Sequence, residues 1–575
     1  MGKDSSAKIR IVQVTDVYTL NNFPNLKTLL DQCKAQPNIY GPTISILTGD
    51  FLAPYLLSSF DKGIGMMKML NMTPIDYLTW GNHEADLSHL DVMNREREYK
   101  GTWINSNMKS HESFKNSTSQ CDSSMIKVVS PDGKNKRTLG LCAVLSNSPG
   151  LYKPGAFGGA TIDDPWTCLE EYNTKLKNKG CDMVLPLCHL YEYQDEKTCN
   201  EFDFPIILSG HDHHSVDRII NGSRLLKPGL DANKAIILDL EWESAESDKT
   251  PKISVQLVDV TKYKPDPKLL DVVARSYSIL DPLLKTDLAM IPEKYFPISS
   301  AKSRQHRATM ATYLCSQMKL ALNLDTEFST NHCDCVLIKG GNIRGGRDYN
   351  TNNLTLEGLK SELKEERNVG IFLLPGHILE SSLKESWDKP NAGWFQYDDG
   401  VEVDSKGFVT KVANSTIDKN KIYRVGSFLD FDANYGSSSI HLYFKENPHS
   451  LPEKDACIGC HILLLNLFSR NIWAKIWRLL DADGDGIITN EEIKKFDKDQ
   501  DGSISREEVR EAITEVLGMS SHEHENMFLD YVMTTGGDTN HDGKLTLEEL
   551  NNSNKFYLTA QDVKLQTTAL KKIRT

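Results

Sequence analysis

The stretch Trp80-Gly81-Asn82-His83-Glu84 decides the reading of this chain. It closes a short apolar run, Tyr77–Trp80, and opens a polar cluster where a strand would end. The same form recurs through the first 245 residues. Further runs that read as strands are Ile9–Val14, Thr43–Leu47, Leu139–Leu145, Met183–Leu187, Pro205–Leu208 and Ala235–Leu240. Several are almost continuously apolar, the pattern of strands covered on both faces. The polar clusters that follow strands are Thr15-Asp16, Gly49-Asp50, Cys188-His189 and Gly210-His211-Asp212-His213. In α/β sheets ligands gather at the carboxyl ends of strands. The sequence therefore predicts an α/β layered domain in which these clusters converge.

As chemistry, the clusters supply Asp16, Asp50, Asn82, His189, His211 and His213. A carboxylate can bridge two divalent ions, with imidazoles and a carboxamide completing each shell. Two such ions, about 3.5–4 Å apart, activate water and stabilise in-line displacement at phosphorus. A single histidine at a strand end is more often structural; five clusters in order carry the argument.

With these motifs, residues 8–445 resemble the calcineurin-like metallophosphoesterases, in the 5′-nucleotidase/2′,3′-cyclic phosphodiesterase branch. The resemblance implies a β-sandwich flanked by helices and a second α/β substrate domain. It implies that Asp50 bridges both metals. Asp16 and His213 would complete the first site, and Asn82, His189 and His211 the second. His83 would face the substrate phosphate and leaving group, and His214 has no implied role. The family has Asp-x-His at its first motif, whereas Tyr18 stands at the third position here. Tyr18 either packs beside the first metal or ligates it as a phenolate, which would favour a harder ion such as ferric iron. The implied cofactors are two divalent or mixed-valence ions, with manganese, zinc, iron and magnesium not distinguished.

In the second domain, strands are expected near Cys335–Ile338, Val369–Leu374 and Tyr423–Val425. The Gly-rich turn Lys339-Gly340-Gly341-Asn342-Ile343-Arg344 matches the family's phosphate-binding turn, with Arg344 on the arginine position. Lys339 replaces the family's Asn and would suit an extra carboxylate or phosphate. Phe428 matches one of two base-stacking aromatics, but Leu374-Pro375-Gly376-His377 offers no second platform. A sugar phosphate or phosphoglycerate derivative thus rivals a nucleotide as substrate. Further alternatives are a cyclic phosphodiester, and a catalytically weak calcium-binding interaction protein on a phosphatase scaffold.

Three acidic loops follow. Asp481, Asp483, Asp485, Ile487 and Glu492 occupy ligand positions in the first. The second has Asp497, Asp499, Asp501, Ser503 and Glu508; the third has Asp538, Asn540, Asp542, Lys544 and Glu549. Gly486, Gly502 and Gly543 fall at the sixth position, and the residue at the seventh contributes its carbonyl. These are EF-hand calcium loops forming an all-α C-terminal module. The first two start 16 residues apart and the last two 41 apart, so the second and third are expected to pair. With them, the chain is similar to an EF-hand-bearing branch described as mannosylglucosyl-3-phosphoglycerate phosphatase-like.

The expected organisation is a catalytic domain over 1–262 and a linking helix over 263–285, centred on Leu269–Leu284. A substrate domain follows over 286–446, then a linker with the amphipathic helix His461–Leu480 over 447–480. The calcium module spans 481–560 and a tail 561–575.

Of the chain's net charge of −13, residues 481–508 carry −6 and residues 538–549 carry −3. Acidity with a pI near 5.7 argues against nucleic acid. No run reaches a membrane-spanning length of about 18 apolar residues. The N-terminus MGKDSSAKIR lacks a signal-peptide core. Gly2 and Ser6 fit the loose myristoylation pattern, but Lys3 is a poor context for it. The twelve cysteines therefore read as reduced thiols of a cytoplasmic protein. Cys457-Ile-Gly-Cys460-His461 has the form of a haem attachment site, but without export it reads as chance. Cys333-Asp-Cys335 is too short for a zinc site. The expected partners are a small phosphorylated substrate and calcium.

Overall fold

The computed structural model of the chain describes residues 5–116, 119–148, 151–152, 155–246, 249–278, 280, 287–323, 332–363, 367–388, 394–432, 437–452, 457–465, 467–468, 480–483, 487–517, 533, 538 and 542–551. It divides into two compact units, Met1–Ser276 and Tyr277–Thr575.

Among the described residues, thirteen strands build the first unit. They are β1 Ala7–Val14, β2 Thr43–Thr48, β3 Tyr77–Thr79, β4 Thr102–Ile104, β5 Gln120–Cys121, β6 Ser123–Val129 and β7 Lys136–Leu145. The rest are β8 Met183–His189, β9 Ile206–Leu208, β10 Val216–Ile220, β11 Ser223–Lys227, β12 Lys234–Trp242 and β13 Lys252–Asp259. One sheet runs β13-β12-β1-β2-β3-β4-β5 and the other β10-β11-β9-β8-β7-β6. Alternate residues of each sheet face a shared interior. Ile9, Ile11 and Ile46 meet Leu139, Leu141, Leu185 and Leu187 there, all fully buried. The outer face of the second sheet is covered by a helix, α1, Pro165–Asn178. Asp164 caps it by accepting the Thr167 N–H at 2.9 Å, and Leu169, Tyr172 and Leu176 pack against Cys142 and Val184.

Strands β1, β2, β3 and β4 are mutually parallel, as are β7, β8 and β9. Parallel strands end on a common edge of their sheet. That arrangement brings the polar clusters of the sequence together.

The second unit holds a five-stranded sheet of β14 Cys335–Lys339, β15 Asn368–Pro375, β16 Phe395–Tyr397, β17 Ile422–Phe428 and β18 Ile458–Gly459. Their order is β16-β14-β17-β15-β18. Strand β18 lies in the stretch expected to be linker: Ile458 and Gly459 pair with Val369 and Asn368. A helix spans Pro267–Tyr277 within the stretch expected to link the domains; residues 279 and 281–286 lie outside the described residues. Of the helix expected over His461–Leu480, residues 466 and 469–479 likewise lie outside them. In the calcium module, β19 Ser503–Ser505 pairs antiparallel with β20 Lys544–Thr546, Ile504 opposite Leu545. The second and third loops are thus the pair, and this short ribbon is the exception to an all-α module.

Candidate metal centre and calcium loops

The turn after β1 turns sharply at Asp16, whose N–H donates to Gly49 O at 3.1 Å. Asp16, Asp50, His211 and His213 have φ of 53°, 57°, 83° and 57°. Non-glycine residues seldom occupy this left-handed region, and at a functional site the surroundings hold them there. Those surroundings are visible. Buried Glu84 accepts the N–H groups of Asp50, Phe51, Leu52 and Gly81 at 2.7–3.1 Å, locking the turn after β2 to the turn after β3. A Cβ on Gly81 would lie 2.1 Å from Asp50 Oδ1, and one on Gly210 would lie 2.1 Å from Thr15 Oγ1. Glycine at these positions lets the strand ends approach.

The predicted ligands meet. Asp50, His189 and His211 present ligand atoms within 4.8 Å of one another, all buried. Asp50 Oδ2 lies 3.0 Å from His189 Nε2 and accepts the Tyr18 hydroxyl at 3.0 Å. His213 Nε2 lies 3.7 Å from Asp16 Oδ1 and 3.2 Å from the Tyr18 oxygen. The phenol therefore stands between the ligands of the expected first site. His189 donates from Nδ1 to Thr48 O at 2.7 Å, which leaves Nε2 directed at the carboxylates. Asn82 Oδ1 is buried with no hydrogen-bond partner among the described residues. A metal ion would satisfy that oxygen. The donor set of carboxylate, carboxamide and imidazole thus fits divalent cations.

Electrostatics supports the same reading. Burial, reinforced by Asp50 against the pull of His189, pushes Asp16 up to about 7. Burial opposes charge on Asp50 as well, yet His189 and His83 hold it well below the carboxylate range. For His189, burial is outweighed by Asp50 and Asp16, which raise the ring to about 10. Burial lowers His213 to about 4 and takes His211 well below its ordinary value. Burial and then Asp50 raise the Tyr18 phenol far above its usual range. The protons held by His189 and Asp16 offset crowded carboxylates, the work that cations do in a metal centre.

His83 sits beside this cluster, its N–H donating to Asp50 Oδ1 at 2.8 Å and its Nδ1 2.7 Å from Asp86 Oδ2. Asp86 and Glu84 had no role in the sequence reading. Spacing does not reveal which backbone N–H a carboxylate will meet. His214 pairs with Glu192 at 2.8 Å, in keeping with a residue outside the site.

The second unit departs from expectation in two places. Lys339 is only 2% exposed and donates to Asp430 O, so its side chain runs into the fold, away from an exposed ligand. It is the last residue of β14, and its ammonium holds the Leu429–Asp432 turn. Phe428 closes β17 and is 2% exposed, so it presents no open face for stacking. Arg344 is exposed, and its N–H donates to Glu362 O at 2.7 Å. Asn342 Nδ2 is buried without a hydrogen-bond partner among the described residues.

Two calcium loops repeat one geometry. Asp497 accepts the N–H groups of Asp501 and Gly502 at 3.1 and 2.9 Å; Asp538 accepts those of Asp542 and Gly543, both at 3.1 Å. Asp497, Asp499 and Glu508 form one ligand cluster, and Asp481, Asp483 and Glu492 another. Ser503 and Ile487 sit at the seventh position of these two loops; in the third loop Lys544 is seventh and Glu549 twelfth. Asp485 and Asn540 lie outside the described residues. The first loop, which forms no strand pair among the described residues, has another contact in its place. Ile488 donates its N–H to Asn551 Oδ1 at 2.7 Å, and its carbonyl accepts Asn551 Nδ2 at 2.8 Å. One carboxamide thus supplies both bonds of a ladder rung, a detail that loop spacing does not show.

Residues 9–215 match the model of the calcineurin-like phosphoesterase family, and residues 473–553 that of an EF-hand domain pair. Among solved structures the chain is similar to the NAD nucleotidase of Haemophilus influenzae, at 13% identity and TM-score 0.61, covering 81% of this chain and 96% of that one. It is also similar to a putative 5′-nucleotidase from Staphylococcus aureus, at 13% identity and TM-score 0.50, covering 80% and 97%. At such identity the likeness is one of fold. A search of curated proteins gives no match. No described helix is long and apolar enough to cross a membrane. The chain carries a calcineurin-like phosphoesterase domain, a metal-dependent phosphoesterase, followed by an EF-hand pair.

Proposed function

We propose that the protein hydrolyses the phosphomonoester of a small phosphorylated metabolite at a two-metal centre. The convergence of Asp16, Asp50, Asn82, His189, His211 and His213 carries this reading. Asp50 would bridge, with Asp16, His213 and the Tyr18 oxygen on one side and Asn82, His189 and His211 on the other. Bound there, two ions supply Lewis acidity toward phosphoryl oxygens and a water nucleophile at neutral pH. The chain's own groups do the rest. His83, oriented by Asp86, protonates the leaving oxygen; Glu84 keeps the ligand turns in place. Arg344 and Asn342 are the second unit's candidates for binding phosphate or an adjoining polar group.

The buried Phe428 favours a sugar phosphate or phosphoglycerate derivative over a stacked nucleobase. Purified protein with manganese should hydrolyse an aryl phosphate, and a panel of nucleotides, sugar phosphates and phosphoglycerate derivatives should rank the last two classes first. No hydrolysis between pH 5 and 9 with metal bound would overturn the reading. A nucleotide preferred over the rest would overturn the substrate class alone. Iron-loaded protein should absorb in the visible if Tyr18 ligates; a colourless ferric form would remove Tyr18 from the ligand set.

A further inference from the structure

Lys227 is the last residue of β11 and 1% exposed, on the same strand face as Leu225 and Ser223. An ammonium has three N–H donors, and this one meets three acceptors. Lys227 Nζ donates to Leu190 O at 2.9 Å, lies 2.7 Å from Asp195 Oδ2, and donates to Asp212 Oδ2. Two of these acceptors belong to segments carrying candidate ligands. Leu190 follows His189, and Asp212 lies between His211 and His213. Asp195 in turn accepts the Ser209 hydroxyl at 2.8 Å, just before the Gly210–His213 turn.

Burying an ammonium with two carboxylates is costly, and a hydrophobic replacement of such a cluster is often no less stable. Stability alone therefore gives little reason for this cluster. Its geometry gives another. The His189 strand end and the strained His211–His213 turn belong to different strand connections, and Lys227 is a single point tied to both. Arginine, with a planar fork, would not reproduce three convergent bonds from one nitrogen.

We infer that Lys227 is a positioning residue for the metal centre: by joining Leu190 to Asp212 it sets the spacing of His189, His211 and His213. The inference rests on those histidines being ligands. Partners behind ligating groups of this kind typically change metal affinity by roughly 10- to 100-fold.

The test uses the full chain with calcium in excess, so that the EF-hand loops are filled, and manganese as the probe. Lys227→Met alone strands two carboxylates, so it is paired with the charge-neutral variant Lys227→Met/Asp195→Asn/Asp212→Asn. Manganese binding is followed by electron paramagnetic resonance, alongside circular dichroism and thermal unfolding of the metal-free protein. The neutral variant should keep its spectrum and midpoint yet bind manganese at least tenfold more weakly. Saturating manganese should restore kcat on an aryl phosphate. Unchanged manganese affinity in the folded variant would overturn the inference, as would a weakened enzyme that saturating manganese does not rescue. Wild-type protein that binds no manganese would remove the ligand assignment, and Lys227's role with it.

Discussion

The phosphoesterase centre and the calcium loops both gather acidic side chains, but they hold them in place differently. Asp16, Asp50 and His189 are at most 1% exposed; Asp16 and Asp50 stand at positive φ, and buried Glu84 pins the turn at Asp50. In the calcium loops Asp483 and Asp499 are exposed while Asp481, Asp497 and Glu508 are buried, and the loops are braced by their own backbone N–H groups. A buried centre must be assembled by the fold before metal arrives, and its charges crowd and exchange protons. A calcium loop, open to solvent on one side, takes its bracing from bonds within the loop itself. The first is sensitive to distant packing; the second is sensitive to its own sequence.

The sharpest break between them should come from Asp50→Asn. Turnover of an aryl phosphate should fall to background while calcium titrations of the same variant overlay wild type. His83→Ala should come next, lowering kcat by roughly 10²–10⁴-fold on an alkyl phosphate, whose leaving group needs a proton. A nitrophenyl phosphate should lose far less, and manganese affinity should hold. Equal losses on both substrates would remove the general-acid role.

Protons supply a third contrast. Asp16 near 7 and His189 near 10 hold protons that must leave when metal binds. Manganese affinity should therefore rise from pH 6 to 8, with proton release on binding. In the calcium loops, a hydrogen bond from Lys544 holds Asp501 at about 2. Glu508 lies below its usual value: burial works against this, and the hydrogen bonds at Ser505 prevail. Those groups are ionised throughout, so calcium affinity should stay flat over the same range. A calcium affinity that climbs in parallel with manganese would erase the contrast. The smallest effect should come from Asn551→Ala, which removes two hydrogen bonds worth about 1 kcal/mol each from the first loop. Calorimetry should show one calcium site weakened and two kept; three unchanged sites would deny Asn551 that role.

Most of the parallel strands were legible because they are near-continuous apolar runs, several ending in a polar cluster, as Met183–His189 shows; the three-residue Thr102–Ile104 carries neither mark. Antiparallel edge strands such as Val216–Ile220, mostly exposed, carry no such signature. That Asp50, His189 and His211 lie together was legible because metal chemistry restricts residue type and the turns add glycine. What stayed hidden was everything depending on direction. Lys339 reads as a ligand-facing cation in a Gly-rich turn, yet its chain folds inward to Asp430. Phe428 matches an aromatic position, but strand pairing with Val369 leaves it buried. Glu84 and Lys227 act through backbone groups far away in sequence, and no local pattern announces such partners.

The central claim is that the strand-end cluster is a two-metal centre bridged by Asp50. It is tested most directly by counting manganese in calcium-saturated protein and in Asp50→Asn under the same conditions. Two tightly held manganese ions per wild-type chain, with both weakened together in the variant, is the predicted result. Fewer than two in wild type, or two retained with unchanged affinity in Asp50→Asn, would contradict it.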